Sequence, residues 1–273
     1  MWIQSKTGVK KSKSLILLNS FVLVLMAWFI VCAPLYSGTQ RGIIRVAIAA
    51  NLAGVMELIK AEFEKDNPGT RVELVSGSSG KLTAQILEGA PFDLFASADT
   101  VYPQKLKDAG FVIKGPEVYV KGYLVIFSNA GVDLSGGIQV LASDKVKTIA
   151  IANPNVAPYG REAIAALQKA GIYERVKGKL VMAENISQTL QFALSSTDAA
   201  ITGKSLLFSP AMRSKYAEGQ YWKDIDPSLY SPLAQSMVVL KKGAGKADVL
   251  RFYDFVLSEK AKLIFSSYGY DTD

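Results

Sequence analysis

A loop made only of serine and glycine is the first part of the chain with residues suited to chemistry. Residues 76–80 (SGSSG) separate a β-branched run, residues 72–75, from a segment of helical periodicity. Ser78 or Ser79 occupies the position of a helix N-cap. Such a turn directs several backbone N–H groups and serine hydroxyls toward one point, which suits a small anion. The same residues also fit an ordinary capped strand-to-helix turn, so binding requires partners elsewhere in the chain.

Four further turns place residues suited to oxygen ligands where predicted strands meet helices. They contain Asn51, Pro158-Tyr159-Gly160, Glu184-Asn185-Ile186 and Thr202-Gly203. Because the carboxyl ends of the strands in an open α/β sheet line the ligand crevice, two such sheets would bring these turns to one cleft. Neutral donors and helix N-termini hold a dianion without a cationic side chain. The pattern therefore predicts a binding site for an oxyanion.

The composition argues against most catalytic chemistry. The chain has no histidine and one cysteine, Cys32, so it lacks the histidine partner of a serine or cysteine nucleophile and the commonest metal ligand. Asp93 and Asp99 flank a predicted strand and resemble paired acid–base carboxylates. We favour the simpler interpretation that they cap a helix and pair with a lysine. A binding protein that is not an enzyme and needs no cofactor is expected.

The elements that position these residues alternate between strand and helix. Residues 43–50 form an apolar run typical of a buried strand, and Asn51 follows as the predicted cap of an amphipathic helix. The same order continues to residue 110 and resumes at residue 149, which indicates right-handed βαβ units in an α/β fold. Two extended runs interrupt this order, Val118–Ser128 and Leu233–Lys241. We expect both runs to cross between two lobes.

The first 38 residues have the three parts of a secretory signal peptide. A lysine-rich start without acids precedes an apolar run over residues 15–31, and cleavage is expected after Ser37 or Gly38. The run also fits an uncleaved membrane anchor, and Cys32 fits a lipoprotein, although the two residues before it lack the small side chains of a lipobox. Loss of the four leader lysines lowers the net charge from +7 to +3, which removes the main support for nucleic-acid binding. The protein is predicted to act in the periplasm or on the extracytoplasmic face of the membrane.

Five stretches carry a resemblance to a known family. They are AIAANLAGVMELI (47–59), SGSSGKLTAQILEGAPFDLFASAD (76–99), IAIANPNVAPYGREAIAAL (149–167), AENISQTL (183–190) and FYDFVLSEKAKLIFSSYGY (252–270). The block GAP-x-DLF-x-SAD is the most specific of these motifs. Over nearly all of residues 43–269 the chain resembles the periplasmic molybdate-binding proteins of ABC-type importers.

The resemblance implies a two-lobed periplasmic binding protein, or Venus-flytrap, fold. Each lobe would be a mostly parallel sheet flanked by helices, with molybdate or tungstate bound between the lobes. Residues 39–122 and 233–273 would form the first lobe and residues 123–232 the second, with hinges near Tyr123 and Leu233. The ligand would pass to a membrane ABC permease with its ATPase, and we expect the binding protein to be a monomer. The same fold binding sulfate, phosphate or a small organic acid is the alternative.

The resemblance also suggests which residues contact the anion. Its ligand positions fall on Asn51, on Ser79 with Ser78 beside it, on Tyr159 through its N–H or phenol, and on the backbone amide of Ile186. Thr202 is also a candidate ligand residue, and it stands where some family members have a tyrosine. We expect the Tyr159 hydroxyl to compensate for that departure, and the role of Thr202 stays open.

Overall fold

The predicted alternation of strands and helices is present along residues 42–273. The computed structural model describes residues 1–3 and 42–273. The chain divides into Met1–Gln40 and Arg41–Asp273, and the second of these is the compact unit considered below. The predicted cleavage point, the apolar run and Cys32 lie outside the described residues. Within them, no helix has the length and apolar character needed to cross a membrane.

The first of two five-stranded sheets is built from both ends of this unit. Its strands are β1 (Gly42–Ala49), β2 (Thr70–Gly77), β3 (Leu94–Ala96), β4 (Val112–Gly122) and β10 (Leu233–Leu240). Their order in space is β2-β1-β3-β10-β4. Strand β1 pairs in parallel with β2 and β3, whereas β10 runs antiparallel to β3 and β4.

The second sheet repeats this plan with strands from the middle of the chain. They are β5 (Leu124–Phe127), β6 (Ile149–Ala152), β7 (Leu180–Ala183), β8 (Ala199–Gly203) and β9 (Trp222–Asp224). In the order β7-β6-β8-β5-β9, the first three strands are parallel and β5 is antiparallel to both of its neighbours. The α/β fold is therefore confirmed. Each sheet is mixed, because β10 in the first sheet and β5 in the second run antiparallel to their neighbours.

Helices cover the faces of both sheets. The longer ones are α1 (Ala53–Asp66), α2 (Ser79–Leu87), α3 (Val101–Asp108), α4 (Pro158–Lys169), α6 (Ile186–Ser195), α9 (Ala247–Val256) and α10 (Glu259–Ser267). Single turns form α5 (Tyr173–Val176), α7 (Lys204–Leu207) and α8 (Pro210–Arg213). In α1 the buried side chains are Val55, Met56, Ile59 and Phe63, whose spacing places them on the face that packs against the sheet.

The chain changes sheets twice. The extended run over Val118–Ser128 contains the first change, because β4 ends at Gly122 in the first sheet and β5 begins at Leu124 in the second. The return occurs before Leu233, where β10 begins. We call residues 42–122 and 233–273 the first half and residues 123–232 the second half. Movement of these halves as separate lobes stays a prediction.

Candidate oxyanion-binding site

The parallel strands of both sheets end beside one small cavity. Residues from both halves line it: Ala49, Ala50, Asn51, Gly77, Ser78, Ser79, Ala98, Ala157, Pro158, Tyr159, Asn185 and Ile186. These residues follow the carboxyl ends of β1, β2, β3, β6 and β7, the edge at which open α/β sheets bind ligands. No charged side chain is among the lining residues. A ligand in this cavity would be recognised by neutral groups.

Three helices begin at the cavity. Helix α2 starts at Ser79, α4 at Pro158 and α6 at Ile186. The N–H groups of a first helical turn have no acceptor within their own helix, and each helix N-terminus carries a partial positive charge. The N–H groups of Ser79, Tyr159 and Ile186 also donate to no other backbone oxygen of the described residues. The arrangement supplies backbone donors to an anion from both halves.

The serine loop adds two hydroxyls. Ser78 is the N-cap residue of α2, yet its side chain makes no capping hydrogen bond, and Ser79 is the first helical residue. The Ser79 hydroxyl oxygen accepts a hydrogen bond from Ala98 N at 3.1 Å, which leaves its own hydrogen free to donate. Ser78 Oγ is buried and has no partner among the described residues. Ser78 therefore occupies the predicted N-cap position without capping the helix through its side chain, and both hydroxyls remain available to a ligand.

Asn51 is not the helix cap that the sequence predicted. It lies in a 3₁₀ turn over Ala50–Leu52 that precedes α1, and its side chain makes no capping bond. Its amide Nδ2 donates to Gln235 Oε1 at 2.9 Å and to the Tyr270 hydroxyl at 2.8 Å. The Tyr270 hydroxyl donates back to the Asn51 carbonyl oxygen at 3.0 Å. Asn51 Oδ1, which is buried, has no partner among the described residues.

Tyr159 lines the cavity, and its phenol is bonded to the first half. Gln235 Nε2 donates to the Tyr159 hydroxyl oxygen at 3.2 Å. A Cβ at Gly122 would overlap this hydroxyl, and one at Gly203 would lie 3.0 Å from the ring, so both glycines make room for the phenol. Burial raises the pKa of Tyr159 well above its ordinary value, and the hydroxyl keeps its proton. Compensation for Thr202 by this hydroxyl stays a prediction.

Ile186 lines the cavity, whereas Thr202 lies behind it in strand β8. Asn185 is the N-cap of α6, and its Oδ1 accepts from Gln188 N at 3.0 Å, which fixes the turn that presents Ile186. Thr202 is fully buried in β8 and does not line the cavity. Its hydroxyl donates to the Ile186 carbonyl at 3.5 Å, a long contact behind the cavity wall. Thr202 thus lies where it supports the Ile186 turn.

Direct contacts join the two halves around the cavity. Gly80 N donates to Val156 O at 2.8 Å, and Ser187 Oγ donates to Ala50 O at 2.9 Å. Two ion pairs cross the same boundary: Arg161 with Asp99 at 2.5 Å and Lys81 with Glu184 at 2.9 Å. The cavity is therefore held closed by bonds between the halves.

The two carboxylates that resembled an acid–base pair are in separate ion pairs. Asp93 pairs with Lys246 at 2.7 Å, as expected, whereas Asp99 pairs with an arginine rather than a lysine. Asp99 Oδ1 also accepts from Tyr102 N in the first turn of α3. Among the described residues there is no cluster of three or more histidine, cysteine, aspartate or glutamate side chains that would hold a metal ion.

Sequence reasoning missed three residues that support the site. Gln235 and Tyr270 bond the Asn51 side chain, and the Ser205 hydroxyl donates to the Asn51 carbonyl at 3.2 Å. The signal for Gln235 was the one amide side chain in LAQSMVVL, a strand that is apolar apart from Gln235 and Ser236, because a buried amide needs hydrogen-bond partners. Tyr270 and Ser205 gave no local signal, because their partner lies far away in the sequence.

Comparison with known proteins gives the family of this chain. Residues 44–271 match the family model described as bacterial extracellular solute-binding protein. The chain is 34% identical to a protein named molybdate-binding protein ModA from Azotobacter vinelandii, over 93% of this chain and 97% of that protein. It is 37% identical to the protein of the same name from Rhodobacter capsulatus, over 85% and 89% of the two chains.

A solved structure shows the same architecture. The periplasmic molybdate-binding protein of Azotobacter vinelandii superposes with a TM-score of 0.77 at 30% sequence identity, over 83% of this chain and 98% of that one. Its match confirms the periplasmic binding protein fold expected from the sequence. With the family model matching most of its length, the chain belongs to the family of bacterial extracellular solute-binding proteins.

Proposed function

We propose that this protein captures molybdate or tungstate outside the cytoplasm and delivers it to an ABC-type membrane permease. The observation that carries the proposal is the convergence of three helix N-termini and two serine hydroxyls on one cavity, to which the described part of the chain contributes no charged side chain. Such donors favour a fully deprotonated tetrahedral anion. Each of these groups can donate a hydrogen bond to an anion oxygen, and none of them carries a negative charge that would repel the anion. The relatives named molybdate-binding proteins support the same ligand class.

Binding from two sides explains how the anion can be both held and released. Each hydrogen bond to a charged oxygen contributes about 1.5–3 kcal/mol, so several donors together offset the cost of removing the anion's water. Donors from both halves reach the anion together only when the halves are closed. Opening at the crossings near Tyr123 and Leu233 would withdraw half of the donors and release the ligand.

The proposal includes the partners and the location of the protein. A permease with its ATPase would receive the anion, and the binding protein would act as a monomer in the periplasm or at the outer face of the membrane. Binding rather than catalysis is proposed, since the lining residues include no nucleophile with an activating base.

Calorimetric titration of the exported protein with molybdate, tungstate, sulfate and phosphate tests the ligand. We expect dissociation constants below about 1 μM for molybdate or tungstate and much weaker binding of the smaller anions. Tight binding of sulfate or phosphate with no heat from the first two would contradict the proposal and favour the alternative oxyanion. A ligand-dependent decrease in radius of gyration, measured by small-angle scattering, would support closure.

A further inference from the structure

Gln235 connects the two walls of the cavity. It is fully buried in β10, where the pairing with β4 shifts register between Gln235 and Ser236. Such an irregularity redirects side chains at functional sites. Its Oε1 accepts from Asn51 in the first half and its Nε2 donates to the Tyr159 hydroxyl of the second half. One amide thus contacts two residues that line the cavity.

The Asn51 side chain has the wrong polarity for an anion in the orientation that the structure shows. Both hydrogens of Nδ2 are used, one on Gln235 and one on Tyr270. The remaining polar atom, Oδ1, is an acceptor without a partner among the described residues. A buried acceptor without a hydrogen bond is costly, and an anion cannot supply one. Another arrangement of the same side chains would remove this cost.

A half-turn of the Asn51 and Gln235 side-chain amides keeps the hydrogen bonds from Asn51 through Gln235 to Tyr159. It exchanges donor and acceptor in each of these bonds. The Tyr159 hydroxyl would donate to Gln235 Oε1, and Gln235 Nε2 would donate to Asn51 Oδ1. The reversal is possible because a hydroxyl both donates and accepts, and because an amide presents oxygen and nitrogen on opposite sides. In this state the Tyr270 hydroxyl would give up its bond to the Asn51 carbonyl and donate to Asn51 Oδ1, while Ser205 would keep its bond to that carbonyl. Asn51 Nδ2 would then occupy the position of the unpartnered oxygen and could donate to an anion.

We infer that Gln235 is a positioning residue that sets which end of the Asn51 amide is presented to the ligand, and that the two amides turn together when an oxyanion binds. This inference rests on the proposed function, since it specifies how the same cavity acquires one more donor. It also links ligand binding to closure of the two halves, because the hydrogen bonds that run from Asn51 through Gln235 end at the Tyr159 hydroxyl of the second half. Entry of the anion and contact between the halves would stabilise the same amide orientation.

Nuclear magnetic resonance of protein labelled with ¹⁵N-asparagine observes the Asn51 side chain directly. The resonance is assigned by its loss in Asn51→Asp. On saturation with molybdate we expect the Nδ2 hydrogens of the unmodified protein to shift, because both leave their neutral acceptors on Gln235 and Tyr270 and one donates to the charged anion instead. Unchanged Nδ2 resonances in protein that calorimetry shows to be saturated would overturn the inference.

Substitution of Gln235 tests the positioning role. Gln235→Met keeps the length of the side chain but removes both hydrogen bonds, and we expect molybdate affinity to fall about tenfold. Gln104→Met is the matched control, because Gln104 is an exposed residue of α3 and should bind like the unmodified protein. Equal affinity in Gln235→Met would overturn the inference. If that variant does not fold, the asparagine spectrum of the unmodified protein decides, and failure of the unmodified protein to bind molybdate or tungstate rejects the proposed function together with this inference.

Discussion

The two walls of the cavity offer an anion similar partial charges through different atoms. The first half contributes the hydroxyls of Ser78 and Ser79 together with the N-terminus of α2. The second half contributes mainly backbone, through the N-terminal turns that contain Tyr159 and Ile186. Side-chain donors can be removed one at a time by substitution, whereas backbone donors are fixed by the fold. Ligand selectivity should therefore be easier to alter through the first half than through the second.

The largest effect should come from removing a backbone donor of the second half. Ile186→Pro deletes the N–H at the first position of α6, where proline fits a helix and where the extended backbone of Asn185 suits a residue before proline. We expect affinity to fall by about 1.5–3 kcal/mol, or roughly ten- to a hundredfold in Kd, by calorimetry. Ile186→Ala, which keeps the N–H, controls for the lost side chain. Equal losses in both variants would mean that the N–H does not contact the anion.

Substitutions of Ser78 and Ser79 should both weaken ligand binding, but only the substitution of Ser79 should lower the stability of the free protein. Ser79→Ala removes an anion donor and also leaves Ala98 N without its acceptor, so we expect affinity to fall by about 1–3 kcal/mol and the melting temperature to fall as well. Ser78→Ala removes a hydroxyl that has no partner among the described residues, so affinity should fall without loss of stability in the free protein. Thermal unfolding with and without molybdate measures both. Loss of stability in free Ser78→Ala would contradict the assignment.

The ion pair between the halves should have a smaller effect. Arg161 bonds Asp99, whose loop also holds Ser79 through Ala98, and its guanidinium lies over the Tyr102 ring at 5.5 Å. Partly exposed pairs of this kind contribute about 0.2–1 kcal/mol, so Arg161→Gln should raise the Kd for molybdate only a few fold. The increase should be greatest at low salt, because salt screens the pair in the unmodified protein. Equal Kd values at low salt would show that the pair does not favour closure.

The smallest expected effect is that of pH. No charged side chain of residues 42–273 lines the cavity, and the chain has no histidine. Burial raises the pKa of both Tyr159 and Tyr270 above the ordinary tyrosine value. These phenols stay protonated as the pH rises, so molybdate affinity should be nearly constant between about pH 6 and pH 9. A titration series that showed a tenfold change in this range would reveal an ionisable group at the site.

The sequence predicted the local parts of the site better than the connections between them. Ser79 and Ile186 could be found because strand-to-helix turns, capping residues and family motifs are local features. The partners of Asn51 could not, because Gln235 and Tyr270 are 184 and 219 residues away and meet it only through the sheet order. The same distance explains why the local pattern predicts a helix cap at Asn51. Its side chain forms long-range bonds instead of the local one that asparagine usually makes.

The local sequence pattern also could not predict that each sheet contains both parallel and antiparallel pairs of strands. An extended run over Val118–Ser128 fits one strand or two, and only pairing partners show that Gly122 and Leu124 belong to different sheets. The crossing matters for the site because it places Tyr159 against Gly122 and Gln235. Periodicity indicates that strands exist, whereas tertiary pairing determines which sheet each one joins.

The central claim is that both halves hold one oxyanion in the cavity. A crystal structure of the protein with tungstate tests it most directly, because the heavy atom locates the anion by anomalous scattering. We expect one tungstate bounded by Ser78 and Ser79 on one side and by the N–H groups of Tyr159 and Ile186 on the other. An anion bound outside this cavity, or in contact with one half alone, would contradict the account.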